Sequence, residues 1–474
     1  MNSIVIKTTG IHKRNKGKRL LDFLLTKKIP LLAGCGGQGR CGLCRVKIIG
    51  KIKPPDEIES LLIPANALKK GYRLACRYFT KEDVEVIIPK TPRLKTTIPL
   101  SGLALDIGTT ILKGAVIDLK KRKVIRTAKI YNPQNLIGGD VITRIDTALK
   151  GKYKLLRNLL FSGLATLKKE LGVNAPLFTT IVGNPVMLSF YLNKSLLGLA
   201  SYPFRSEIKG QIFLKNPPRY IFPVIGGFVG GDTTAGLLAS QKYWRAQSCC
   251  LYIDLGTNGE VALITDRKIL VASTAAGPAL EGVGITCGSF VAPGVIVNLT
   301  YRNGFKFHTL GRRKSHISIC ASGLIDLLAI LLNLGWLRED GRLIKEVNLN
   351  GIKILPEDIR KLQLAIGAIH TGVEILLRKM GIRPNEIKEV ILTGEFGSHL
   401  KPESLFRVGL LPEGVQNCRW EKDLPLKGAI MVLTDNQALS KVERIKERCE
   451  HLELALEPEF PKIFVSALKL APWS

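Results

Sequence analysis

Apolar residues recur along this 474-residue chain with two periods, and the periods divide it into pieces. SIVIK (residues 3–7) and VEVIIP (84–89) alternate as strands do, while RLLDFLLTKKI (19–29) between them carries its leucines at helical spacing. LALDIGTTILKGAVIDL (103–119) predicts a buried strand ending in Asp106, a Gly-Thr-Thr turn, and a second strand running to Asp118. The pattern returns in LYIDLGTNGEVALI (251–264), which points to an internal duplication. In LPEDIRKLQLAIGAIHTGVEILLRKMG (355–381), Ile359, Leu362, Ile366, Ile369, Val373, Leu376 and Leu377 share one helical face. Pro356, the acids Glu357 and Asp358, and Gly381 supply the start and stop signals of that helix. PKTPRLKTTIPLSG (89–102), rich in proline and threonine, reads as an extended linker.

The divisions are therefore residues 1–90, a linker at 91–101, a first lobe at 102–245 and a second at 246–474. The length suits about three domains, each able to bury a core. No run of eighteen apolar residues appears, so no membrane span is expected, and a cytoplasmic location follows. A formal net charge of +31 raises nucleic acid, anionic membrane and acidic proteins as partners. The basic residues are scattered, with local clusters only at HKRNKGKR (12–19) and GRRKSH (311–316), and no nucleic-acid motif accompanies them. Neither nucleic acid nor membrane is expected as a partner. A generally basic surface and steering of an acidic redox partner both remain open.

Four cysteines carry the first candidate chemistry. Cys35, Cys41 and Cys44 lie in CGGQGRCGLC, and Cys76 follows in GYRLAC. A compact glycine-rich triplet and one distant cysteine suit a [2Fe–2S] cluster, because the loop wraps three thiolates round the irons with its amides directed at sulfur. Zinc is the alternative reading of CxxC, but zinc ligands usually come as two similar pairs. A disulfide framework fits less well, since the N-terminal residues lack the long apolar core of a secretory signal. The layout resembles plant-type ferredoxins over about residues 1–90, with one extra residue in the first gap, and implies a β-grasp fold. Cys249, Cys250, Cys287, Cys320, Cys418 and Cys449 show no metal spacing, and most are expected to be small buried hydrophobes. The six histidines form no metal pattern, and His370 is expected to be structural.

The repeated hairpins carry the second. Asp106, Gly108, Thr109 and Thr110 in one, and Asp254, Gly256, Thr257, Asn258 and Gly259 in the other, place an acid at a strand end beside a Gly-Thr turn. Such turns bring amides and hydroxyls to a polyphosphate, and the carboxylates can hold a hydrated Mg2+. ILTGEFGSHL (391–400), with Gly394 and Gly397, resembles the adenosine motif of the acetate and sugar kinase, heat-shock protein and actin (ASKHA) superfamily, and all three motifs stand in that superfamily's order. The likeness implies a two-lobed, ribonuclease H-like ATPase, and so an α/β and α+β multidomain protein. Asp232 in GGFVGGDTTAGLLA stands where carbohydrate kinases of the superfamily carry their catalytic aspartate. It would orient or deprotonate a nucleophile against the γ-phosphate, or else cap the helix that opens there.

A ferredoxin-like domain joined to an actin-like ATPase resembles the reductive activators of corrinoid-dependent enzymes. The phrases that carry the resemblance span about nine tenths of the chain: GYRLAC, LALDIGTT, IYNPQNLIGGDVITRI, GGFVGGDT, DLGTNGE, STAAGPALEG, SGLIDLLA, DIRKLQLAIGAI and PESLFRVGLLP. The resemblance implies single-electron transfer from a [2Fe–2S] cluster to the Co(II) corrinoid of a partner protein, restoring Co(I), with ATP and Mg2+ entering the cycle. The corrinoid partner would be a methyltransferase subunit or the carrier of acetyl-CoA synthesis. A low-potential donor such as a ferredoxin or flavodoxin stands upstream, and a homodimer is possible. Departures from the family pattern are a nearly absent linker region, Glu395 in the adenosine motif, Ala321 for a glycine, and Pro185 for a threonine. The competing readings are a redox-responsive ATP-binding regulator and a small-molecule kinase.

Overall fold

The computed structural model describes residues 4–7, 19–27, 29, 31, 39, 42, 44–79, 84–88, 100–244, 248–289, 291, 294–309, 318–349, 351–394 and 400–474. Strands β1 (Ile4–Lys7), β2 (Arg45–Ile49), β3 (Tyr72–Leu74) and β4 (Glu85–Ile88) form a sheet of order β1-β4-β2-β3 with antiparallel neighbours. The helix Leu20–Thr26 lays Leu20, Leu21, Phe23 and Leu24 on it, where they share a core with Val46, Ile48, Leu74 and Val86. This small core has to be held by local devices as well as by area. One is the capping box of helix Glu57–Leu62, in which Asp56 Oδ1 accepts from the Glu59 amide at 2.8 Å and Glu59 Oε2 accepts from the Asp56 amide at 3.3 Å. The linker residues 91–99 lie outside the described residues.

Strands β5 (Ser101–Ile107), β6 (Ile111–Asp118), β7 (Lys123–Tyr131), β8 (Phe178–Gly183), β9 (Gly210–Leu214) and β10 (Arg219–Val224) build a second sheet of order β7-β6-β5-β8-β10-β9. The third contains β11 (Cys249–Leu255), β12 (Gly259–Ile264) and β13 (Ile269–Thr274). Two small hairpins follow, β14 (Ile296–Tyr301) with β15 (Phe305–Thr309) and β16 (Asn348–Leu349) with β17 (Ile352–Lys353). The third sheet is completed by β18 (Ile387–Gly394), β19 (Cys418–Trp420) and β20 (Cys449–His451), in the order β19-β18-β11-β12-β13-β20. Leaving aside the edge strands β9 and β20, the two large sheets are the same object. Each is an antiparallel three-strand meander whose first strand is flanked by two successive parallel strands. The duplicated hairpins thus head duplicated lobes.

Helices Gly231–Ser240 and Leu424–Thr434 lie between the lobes. Their Ala235, Leu238, Leu424 and Ala429 share one core with Ala104, Ile117, Val182 and Phe222 of the second sheet and Tyr252, Ala262, Val271 and Ile391 of the third. The two helices touch backbone to backbone, because a methyl on Gly428 would lie 2.0 Å from the Ala235 carbonyl oxygen. Thr180 Oγ1 of β8 donates to the Ala429 carbonyl at 2.8 Å, locking the second helix onto the first lobe. Helix Pro356–Met380 packs against the third sheet with its expected apolar face buried, and ends at Gly381 in the left-handed conformation (φ 63°). Helix Leu20–Thr26 of the small domain lies beside the turn Pro133–Leu136 of the first lobe. Among the described residues, no helix is long and apolar enough to cross a membrane.

Gly428→Ala tests the helix contact, because two effects oppose each other there. Alanine gains about 1 kcal/mol of helix propensity, whereas overpacking against an immovable carbonyl costs roughly 1–3 kcal/mol or more. The variant is expected to melt below the wild type. Gly139→Ala, whose methyl would meet nothing within 4 Å, is the control. Equal midpoints for Gly428→Ala and the wild type would rule out this close approach.

Candidate functional site: a thiol pair and an acidic interlobe cleft

Cys44 and Cys76 come together in the small domain. Cys44 precedes β2 and Cys76 follows β3, and the hairpin register brings the Ala75 amide onto the Cys44 carbonyl at 2.9 Å. Their Sγ atoms stand 3.3 Å apart, buried and not joined as a disulfide. Two sulfurs at about 2.3 Å from one tetrahedral metal stand roughly 3.7 Å apart, so the pair fits ligation of a single metal centre with a small adjustment. Cys35 and Cys41 lie outside the described residues. Beneath the pair, the buried Glu59 carboxylate accepts from the Leu74 amide at 2.7 Å, and burial raises its pKa despite that bond. Arg73 beside it donates to the carbonyls of Lys53, Leu68 and Tyr72. These contacts stiffen GYRLAC at the point where it delivers its thiol. Cys249, Cys250, Cys287 and Cys320 are buried, and burial pushes the Cys249 thiol up to about 12. Cys418 and Cys449 are partly exposed.

The two Gly-Thr turns meet at the mouth of the interlobe cleft. Thr110 Oγ1 and Thr257 Oγ1 are 2.7 Å apart, so a hydrogen bond joins the lobes at the two turns. Asp106, Gly108, Thr109 and Thr110 line one wall, Asp254, Gly256, Thr257 and Asn258 the other, and Asp232 lines the cleft with them; its cavity volume is about 90 Å3. Gly259, at the start of β12, packs against Ile369 and Thr274 and does not line the cleft. Gly108 admits no side chain, because a Cβ would lie 2.5 Å from the Ile111 carbonyl. Gly394 ends β18 on the same cleft at φ 121°, a conformation that favours glycine. Gly397 and Glu395 lie outside the described residues.

The cleft also holds groups that sequence reasoning did not single out: Lys113, Asn184, Glu260, Glu281, Thr393 and Asp423. Glu260 and Glu281 lie within the phrases DLGTNGE and STAAGPALEG, so their neighbourhoods carried a signal. Asp423 carried none, being a single residue in the left-handed region (φ 54°) far along the chain. Lys113 Nζ donates to Asp423 Oδ1 at 2.8 Å and lies 3.9 Å from Asp106 Oδ2. Asn184 caps helix Pro185–Leu192 through the Met187 amide (3.0 Å) and donates to Thr109 Oγ1 (2.9 Å). Pro185 sits at the first position of that helix, where its missing N–H costs nothing.

Asp232 does not cap its helix. The cap is Gly230, and Asp232 is the second helical residue, its Oδ1 accepting from the adjacent Thr233 amide at 2.9 Å. The carboxylate is thereby left facing the cleft rather than closing the helix end. Acids crowd there: burial, then the nearby Asp106, raises Asp232 to about 8. Burial raises Asp254 to about 6, with Lys113 opposing and Glu281 and Asp423 adding to the rise. Glu260 is pushed well above the carboxylate range by burial and by Asp232 and Asp254. Among the described residues no three His, Cys, Asp or Glu side chains converge closely enough to chelate a bare ion. A cation here would keep much of its water, as magnesium does beside phosphate. His370 is buried, stacks on Trp473 at 4.1 Å and has Nε2 3.3 Å from Glu374, in keeping with a structural role.

Residues 7–81 match the 2Fe-2S iron-sulfur cluster binding domain, 101–243 the RACo middle region, and 248–473 the C-terminal ASKHA domain of RACo. The chain is 32% identical over 431 residues to the corrinoid activation enzyme RamQ of Eubacterium limosum, covering 80% of this chain and 72% of that protein. It is 24% identical over 418 residues to the [Co(II) methylated amine-specific corrinoid protein] reductase of Methanosarcina barkeri, covering 77% and 76%. A solved reductive activator for corrinoid, iron-sulfur protein has the same fold, with a TM-score of 0.71, 24% identity and 96% of each chain covered. The chain belongs to the family of corrinoid-activating enzymes, built from a [2Fe–2S] domain and an actin-like ASKHA domain. A [2Fe–2S] cluster and ATP with Mg2+ are the cofactors of these domains.

Two measurements test the sites. Cys76→Ala should lose the reduced-cluster EPR signal, whereas Cys249→Ser should keep it; an intact signal in Cys76→Ala would remove Cys76 from the ligand set. For the cleft, a carboxyl raised from 3.8 to about 8 on folding means that the folded protein holds more protons than the unfolded one in that interval, so stability falls as pH rises. With nucleotide and divalent cations removed, the thermal midpoint should drop between about pH 6 and 8. Asp232→Asn should lessen the drop. A midpoint that rises through this window, or an unchanged slope in the variant, would contradict a protonated Asp232.

Proposed function

We propose that this protein reduces the Co(II) corrinoid of a partner protein to Co(I), one electron at a time, with ATP turnover in the interlobe cleft driving the cycle. The supporting observation is the coexistence, in one chain of this family, of a buried thiol pair 3.3 Å apart and two Gly-Thr turns facing each other over an acidic cleft. A cluster held by Cys35, Cys41, Cys44 and Cys76 supplies single electrons, the unit by which Co(II) and Co(I) differ. Each ~59 mV of mismatch in a one-electron transfer costs about tenfold in equilibrium. A low-potential corrinoid therefore needs a second source of free energy.

In the cleft, Thr109, Thr110, Thr257 and Asn258 would bind the polyphosphate between the turns, replacing the Thr110–Thr257 bond. Asp106 and Asp254 would hold the waters of Mg2+, and Gly394 and Gly397 would let the backbone approach the adenosine. Asp232, raised to about 8 in the empty cleft by burial and Asp106, would orient the attacking water, and would take its proton once a bound cation lowers that pKa. Binding at a site shared by both lobes biases how the lobes sit, and the helix Leu20–Thr26 beside Pro133–Leu136 brings the cluster domain within reach of that movement. The proposal includes a ferredoxin or flavodoxin as upstream donor, a methyltransferase subunit or acetyl-CoA pathway carrier as the corrinoid protein, and assembly as a homodimer. It also includes a cytoplasmic location.

The assay mixes the protein, a chemically reduced low-potential donor and a corrinoid protein poised as Co(II), and follows the Co(I) absorption band with and without ATP. Co(I) should accumulate only with ATP and the intact cluster. ATP hydrolysis that a corrinoid protein neither accelerates nor couples to cobalt reduction would leave the regulatory reading in its place.

A further inference from the structure

We propose that Arg144 and the turn Asn132–Asn135 form a built support for phosphate binding, with Arg144 as its positioning residue; this rests on the nucleotide reading of the cleft. Three successive carbonyls of the first Gly-Thr turn are tied down from behind. Asn132 Nδ2 donates to the Gly108 carbonyl at 3.0 Å, Arg144 Nη2 to the Thr109 carbonyl at 2.7 Å, and Asn135 Nδ2 to the Thr110 carbonyl at 2.9 Å. The Asn132 amide also donates to the Thr110 carbonyl at 2.9 Å. In a trans peptide the C=O and the following N–H point in opposite directions. Fixing the carbonyls of Gly108 and Thr109 therefore turns the amides of Thr109 and Thr110 the other way, away from Asn132 and Arg144. Gly108, Thr109 and Thr110 line the cleft, so the result is a concavity of amides suited to phosphate oxygen.

The setting of Arg144 shows why an arginine stands there. Its side chain is fully buried, yet each acceptor it reaches among the described residues is neutral. Nε donates to the Gly138 carbonyl at 2.9 Å, Nη1 to Gln134 Oε1 at 2.9 Å, and Nη2 to Asn135 Oδ1 at 2.5 Å as well as to Thr109, while Met187 Sδ lies 3.1 Å from Nη1. Asp140 is near, but its carboxylate accepts from the amide and the hydroxyl of Thr143 at 2.8 and 2.7 Å. A buried guanidinium without an ion partner is costly, and a hydrophobe of similar volume would fill the space with less penalty. An anion on the far side of the Thr109–Thr110 peptide offsets that cost, because charge, carbonyl, amide and phosphate then form one polarised line. The planar fork of five donors also holds Gly138, Gln134, Asn135 and Thr109 in a fixed relation that an ammonium cannot reproduce.

The test compares affinity for ATP with affinity for adenosine, which lacks the phosphates, in the full-length protein with its cluster. Arg144→Lys keeps the charge and loses the fork. It is expected to weaken ATP binding by about tenfold and to leave adenosine within about twofold, with the cluster spectrum unchanged. Asn135→Ala, which removes the bond to the Thr110 carbonyl on a partly exposed turn, should weaken ATP by a smaller factor with the same selectivity. ATP and adenosine weakened alike would mean a structural role and overturn the proposal, as would unchanged ATP affinity in both variants. Should Arg144→Lys fail to fold, Asn135→Ala decides by the same two outcomes. Wild-type protein that does not bind ATP would reject the nucleotide reading itself, before any variant is compared.

Discussion

The close contact of helices Gly231–Ser240 and Leu424–Thr434 between two like sheets is the constraint on which the rest of the molecule depends. A protein interior is packed densely enough that a backbone-to-backbone contact fixes relative position to a fraction of an ångström. Gly428 supplies the contact, since even a methyl there would run into Ala235. The core around these helices draws side chains from both sheets, so the lobes share one interior. Each helix begins at the cleft: Asp232 stands in the first turn of one, and Asp423 immediately precedes the other. Packing at the pivot thereby brings groups from both halves of the chain to one place, and sets the Thr110 and Thr257 hydroxyls 2.7 Å apart.

The electrostatics of that place are unbalanced. Asp106, Asp232, Asp254, Glu260, Glu281 and Asp423 gather around Lys113, and three of the acids are raised by burial and by one another. Behind the first turn, Arg144 is a buried cation with neutral partners. Charge and countercharge are thus separated by a few residues of backbone, with the first Gly-Thr turn between them. A ligand carrying both an anion and a divalent cation satisfies both sides together, and anything that binds only the folded arrangement stabilises it by mass action. On the proposed nucleotide reading the same imbalance would make lobe position respond to the ligand, because a change of several charges in a low-dielectric cleft is large compared with the usual difference between two packings.

The turn Pro133–Leu136 packs against helix Tyr153–Leu171 and also reaches two other regions. On one side Asn132 before it and Asn135 within it hold the first Gly-Thr turn, and on the other it lies beside helix Leu20–Thr26 of the cluster domain. A single short element therefore touches both halves of the chemistry. The small domain is in turn stiffened by Glu59 and Arg73 around the strand that presents Cys76. Rigid attachment of this kind keeps a metal site from losing its geometry when the surrounding domain shifts.

Much of this was legible in the sequence because it is local. A strand that ends in an acid, a Gly-Thr turn and a returning strand are set by neighbours in the chain, so β5–β6 and β11–β12 were readable, as was the helix Pro356–Met380 with its glycine stop. The sequence also carried the cysteine spacing and the duplication, since both are patterns of residue type. What it could not determine depends on contacts between distant residues. Asp232 reads from sequence as a possible cap, and only the path of the chain into the helix assigns that place to Gly230 and frees the carboxylate. Lys113 and Asp423 are 310 residues apart and meet only because helix Leu424–Thr434 crosses to the first lobe. Arg144 looks like an ordinary polar residue of a short helix, and its burial against Thr109 arises from how that helix packs behind the turn. Local periodicity specifies elements, but the charge a group carries and the partner it finds depend on the dielectric and the neighbours that tertiary packing alone supplies.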